Sequence, residues 1–103
     1  NGNGTVQERE CWLGEFEVWS KIRTDFLQQL AAQAPFWNDE ALSAEIRSHL
    51  IESDRLWEQS AIESCRFAAE RFEESPLATD MGLSCRAKYE ADRAIQYNIW
   101  LHG

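Results

Sequence analysis

The sequence predicts an all-α fold, a three-helix antiparallel bundle. Apolar residues recur at steps of three and four over long stretches, and no alternating, strand-like run occurs anywhere. Two proline-containing breaks, AAQAPFWND and SPLATD, divide the 103-residue chain into three parts. Long helices joined by short links pack antiparallel in chain order. This length is enough for a single domain over 1–103 with one modest core, and residues 1–5 read as a flexible N-terminus. Hydrophobic residues at 44% and aromatics at 12% supply that core and exclude a disordered chain.

The first helix opens on a capping-box signature, Thr5-x-x-Glu8. Trp12, Phe16, Trp19, Phe26 and Leu30, with Ile22 and Arg23 between them, follow the spacing of one buried helix face. Pro35 disfavours helix at Ala34 and ends the pattern. Asn38 or Asp39 is placed to cap the second helix, expected from about Asp39 to Glu74. Its inner face is marked by Leu42, Ile46, Leu50, Trp57, Ala61, Ala68 and Phe72, with Ser53 and Ser64 as small residues in the same stripe. A helix of that length spans on the order of 50 Å, enough to bend or break. Pro76 separates it from the third helix, expected from about Asp80 to Leu101 with Thr79 or Asp80 as cap. Cys85, Tyr89, Ile95 and Ile99 mark its apolar positions, and Gly82 is a weak spot in its first turn.

Ten basic residues against eighteen acidic ones give a net charge of −8. Nucleic acid is therefore a poor partner, because binding it requires neutralising phosphates. A basic protein is instead steered toward such a surface, although acidic charge on its own most simply serves solubility. No apolar run is long enough for a membrane span. The chain starts without Met or a signal-peptide pattern, which reads as a mature or trimmed form.

The cysteines carry the most specific signal. Cys65 and Cys85 stand symmetrically about Ser75-Pro76, each about ten residues from the turn. In an antiparallel hairpin they lie level, the placement a helix-to-helix disulfide needs. Two reduced core cysteines are the competing reading. Cys11 is left over, either as a buried thiol or as the partner of a cysteine upstream of this sequence.

SDRLWEQSAIESC followed by CRAKYEADRAIQY resembles the LprI-type lysozyme-inhibitor domain, a small secreted helical domain of bacteria. That family carries a Trp eight residues before one cysteine, matched by Trp57 and Cys65. After a variable turn comes a second cysteine with an Arg eight residues on, matched by Cys85 and Arg93. Cys11 falls where the family has a cysteine in its first helix. The resemblance covers about residues 50–97, and the first fifty residues only loosely. This chain departs from the pattern at Ser60 and Ala61, where the family often has Tyr-Arg, and reads as a divergent member. The resemblance implies a periplasmic or secreted location, an oxidising compartment and hence a Cys65–Cys85 disulfide.

Catalytic chemistry finds little support. His49 and His102 have no metal-ligand spacing to cysteines or carboxylates, and nothing in the sequence brings His49 to Cys11 as a nucleophilic pair. No Gly-rich phosphate loop is present. Glu73-Glu74 is better read as a solvated face than as an acid–base pair. Neither an enzyme nor a cofactor is expected. Trp57 reads as core rather than ligand platform, and Arg93 as pairing with a carboxylate such as Glu58 across the hairpin.

The expected function is therefore a protein-binding module that inhibits lysozyme or a related cell-wall hydrolase. A basic lysozyme presents a cleft with two carboxylates, which a stiff acidic loop can plug. The candidate loop is Ser75 to Asp80, including Leu77 and flanked by Glu73 and Glu74. Phe36 and Trp37 are the secondary candidate contact, and otherwise they cover the end of the bundle. The alternative is a periplasmic or surface assembly module with another protein partner and no inhibitory activity.

Overall fold

The computed structural model describes residues 6–33, 38–71 and 77–103. They form three helices, α1 Val6–Ala32, α2 Glu40–Glu70 and α3 Leu77–His102, and no strand is present among the described residues. Glu8 lies in the first turn of α1, where its charge complements the helix dipole; Thr5 of the expected capping box lies outside the described residues. Asp39 is the cap of α2. Its backbone is extended and its side chain accepts a hydrogen bond from the Leu42 N–H at 3.0 Å. The helix then continues without interruption to Glu70, where the Arg71 N–H donates to the Phe67 and Ala69 carbonyls.

The third helix starts earlier than the expected Thr79 or Asp80 cap, because Leu77 to Asp80 already form its first turn. Proline stops a helix arriving from its N-terminal side but not one leaving it, so helix can begin directly after Pro76.

Cross-helix contacts fix the topology. Arg9 meets Asp80, the Arg86 guanidinium lies over the Phe16 ring, and Arg23 meets Glu90, so α1 and α3 run in the same direction. Cys65–Cys85 and Asp54–Tyr97 show α2 running against α3. The α1–α3 contact is the most extensive, α2 packs on α3, and α1 and α2 touch little. The third helix is thus the central one.

Its inner face corrects the expectation. Asp80, Ala87, Glu90, Ala94 and Tyr97 are buried, whereas Ile95 and Ile99 are 52% and 56% exposed. Small side chains allow close helix approach. A Cβ built on Gly82 would lie 3.4 Å from the Ala69 Cβ, so the glycine sits where α2 and α3 are close. Among the described residues the buried apolar ones are Ala61, Cys65, Ala87, Ala94 and Tyr97, and the larger rings of α1 are only partly covered. No helix among the described residues is long and apolar enough to cross a membrane.

Candidate functional site

A cluster of charged side chains occupies the position where an apolar core is expected. Its centre is Arg23 of α1, 5% exposed and held by both other helices. The Arg23 Nη1 donates to both oxygens of Asp54 on α2, at 2.8 and 2.9 Å. Its Nε donates to Oε1 of Glu90 on α3 at 2.5 Å, and Glu90 is wholly buried. Nη2 lies 3.6 Å from Glu58, and the guanidinium stacks 4.7 Å from the centre of the Trp57 ring. Burial pulls the Arg23 pKa down, but the hydrogen bond and charge of Glu90, and then those of Asp54, outweigh it. The net shift is upward from the ordinary arginine value.

Tyr97, also wholly buried, donates its hydroxyl to Asp54 Oδ1 at 2.6 Å. Burial, and next this bond, push its phenol up to about 12. Arg93 closes the cluster on the α2 side. Its Nε donates to the Tyr97 hydroxyl at 3.2 Å and its Nη2 to Ser53 at 3.0 Å, while its guanidinium lies over the Trp57, Tyr97 and Trp100 rings. Each acid that reaches Arg23 meets it as a counter-ion, so the arrangement orients the helices. The second oxygen of Glu90, Oε2, is buried without a hydrogen bond, 3.7 Å from Nη2 of Arg86.

The Cys65–Cys85 disulfide is present, with Cα atoms 5.5 Å apart, and it ties α2 to α3. Cys11 is free and exposed, not buried. Trp57 is half-buried, with the guanidinium groups of Arg23 and Arg93 at 4.7 and 5.7 Å from its ring centre. Arg93 does not pair with Glu58, because Arg23 lies between the helices and takes that carboxylate. Of the acidic loop, Glu73, Glu74 and Ser75 lie outside the described residues, as do Phe36 and Trp37. Leu77 and Asp80 belong to α3. Asp80 is buried and faces Arg9 at 3.8 Å, so it is withdrawn as a loop contact. His49 is exposed beside Glu45, and His102 ends α3. Among the described residues no cluster of His, Cys, Asp and Glu could hold a metal ion.

Sequence reasoning put Arg23 on the inner stripe of α1 but missed Asp54, Glu90 and Tyr97. A signal was there. Ala87, Glu90, Ala94 and Tyr97 follow steps of three, four and three, which places a glutamate on a helix face that is otherwise small and apolar. The chain matches no family model, no curated protein and no solved structure at a significant level.

Proposed function

We propose that the chain is a protein-binding module of an oxidising compartment, periplasmic or secreted, whose acidic surface docks on a basic protein. Where the charge sits supports this reading. Among the described residues, the contacts between helices engage four arginines (Arg9, Arg23, Arg86 and Arg93) and four acids (Asp54, Glu58, Asp80 and Glu90). Those eight charges balance, so they contribute nothing to the net −8 of the chain. A field of that sign speeds encounter with a cationic partner.

Lysozyme or a related cell-wall hydrolase is the first candidate partner, in keeping with the resemblance of the Trp57–Cys65 and Cys85–Arg93 spacings to the LprI-type domain. Glu73, Glu74 and Ser75 then form the contact, on a link whose flanking helices the disulfide ties together. Lytic activity of a panel of basic lysozymes, measured with micromolar protein, tests it. Inhibition should weaken with added salt and with joint Glu73→Lys and Glu74→Lys substitution, mainly through the on-rate. A blank panel sinks the inhibitor reading and leaves the assembly module. Inhibition indifferent to salt and to both substitutions moves the contact to Phe36 and Trp37.

A further inference from the structure

The outer face of α3 pairs a groove with matching knobs. Beside the disulfide, a groove of about 580 Å³ is lined by Ala68 of α2 and by Met81, Cys85 and Tyr89 of α3, with Lys88 and Asp92 among its other walls. Further along the same helix stand Ile95 and Ile99, 52% and 56% exposed. Met81, Lys88, Asp92, Ile95 and Ile99 follow steps of seven, four, three and four, a single seam opposite the buried Ala87–Glu90–Ala94–Tyr97 face. The N-terminal half of the seam is concave and the C-terminal half projects.

We infer that this seam joins two copies of the chain, α3 against α3 in antiparallel register about a two-fold axis at the level of residue 90. The register follows from the residue numbers. Met81 falls opposite the second copy's Ile99, Cys85 opposite its Ile95, and Lys88 opposite its Asp92. The symmetry repeats each match in reverse. Each copy's isoleucines enter the other's groove, and each lysine meets an aspartate. A parallel pairing would set isoleucines on isoleucines, Lys88 on Lys88 and Asp92 on Asp92.

Within one chain these two charges are left over. Lys88 and Asp92 are both exposed, and neither forms an ion pair among the described residues. Their order along the helix, base before acid, is the less favourable one for an i,i+4 pair. A seam carried by one helix is a small interface, so the dimer is weak, with a Kd on the order of micromolar to hundreds of micromolar.

Sedimentation velocity of the oxidised chain over about 5–500 μM bounds that range. The expected result is a reversible monomer–dimer equilibrium. Lys88→Asp alone and Asp92→Lys alone should each weaken it about tenfold, because like charges then face each other twice. The double swap, Lys88→Asp with Asp92→Lys, should restore it. Ile95→Asp should also weaken it, whereas Phe67→Asp on the exposed back of α2 should not. Circular dichroism is expected to be unchanged for all of these exposed sites. A monomer throughout the range, a dimer indifferent to the single swaps, or a double swap that fails to restore association overturns the inference. None of these outcomes bears on lysozyme inhibition, which is read from a different surface.

Discussion

Replacing Arg23 with Met keeps most of the side-chain volume and removes the charge around which the three helices meet. Asp54 then loses its counter-ion and Glu90 keeps only Arg86, at 3.7 Å, while the two acids stay 9% and 0% exposed. Breaking a buried pair from one side costs about 3–5 kcal/mol, and here one residue breaks two. Stacking over Trp57 at 4.7 Å is lost as well, which adds about 1 kcal/mol. Against total stabilities of about 5–15 kcal/mol, the variant should be marginal at pH 7. Urea unfolding of the oxidised protein, followed by far-ultraviolet circular dichroism, measures the loss. Changing Asp54 and Glu90 to Leu in the same molecule should recover a large part of the loss, since an apolar replacement of a whole buried ion cluster is often neutral or better. A loss below about 1 kcal/mol, less than a single broken buried pair costs, would refute the placement of these acids. So would a triple variant no more stable than Arg23→Met.

Reducing the disulfide, or replacing Cys65 and Cys85 with Ser, should cost about 3 kcal/mol from the closed loop. Amide hydrogen exchange should rise in α2 well before α1, because α2 touches α1 little; equal rises in both would contradict the packing. Tyr97 should make the protein alkali-sensitive. Its phenol ionises near pH 10 when unfolded and near about 12 when folded. Its contribution is therefore complete below pH 10 and declines above it by about 1.4 kcal/mol per pH unit until the folded group ionises. Tyr97→Phe should be weaker than the parent at neutral pH and should lack that part of the alkaline decline, which stability measured from pH 8 to 12 resolves. Trp57→Ala should cost about 2–3 kcal/mol, below the 3–5 of a fully buried ring, and Trp57→Phe about half of that; chemical denaturation that shows no loss would place the ring outside the cluster.

Helix number, the breaks and the disulfide were legible because each has a local or symmetric signature. The step of three and four is repeated often enough to mark helices, and Asp39 caps as its residue type suggests. The level placement of Cys65 and Cys85 depends only on their distance from one turn. The inner face of α3 was not legible, because reading apolar size as burial favours Ile95 and Ile99 over Ala87 and Ala94. Close packing between α1 and α3 reverses that order, since alanine admits a near neighbour and isoleucine does not. The charged centre was hidden for a related reason. Asp54 and Glu90 each look like solvated residues unless Arg23 is known to lie beside both, and that juxtaposition joins residues from three helices. Of the candidate loop, residues 77–80 fall within the described residues as the first turn of α3, and Asp80 turns inward because Arg9 of the parallel helix stands opposite it.

A buried ion cluster is a costly way to fill a small bundle, since desolvation offsets much of its Coulomb attraction. Its effect is on alignment. Sliding α1 along α3 by one turn moves Arg23 about 5.4 Å, which separates it from Glu90 and Asp54 together and leaves buried Asp54 without a cation. An apolar seam would tolerate such a slip at far lower cost. The disulfide does the corresponding work between α2 and α3, where a covalent bond fixes the level of Cys65 against Cys85. Each helix packed on α3 thus has its own register device, ionic for α1 and covalent for α2, with Asp54 linking the two through Arg23 and Tyr97. The large apolar side chains are then not needed to define the fold. That leaves Ile95 and Ile99 free to stand on the outer face of the central helix, where a second copy can cover them.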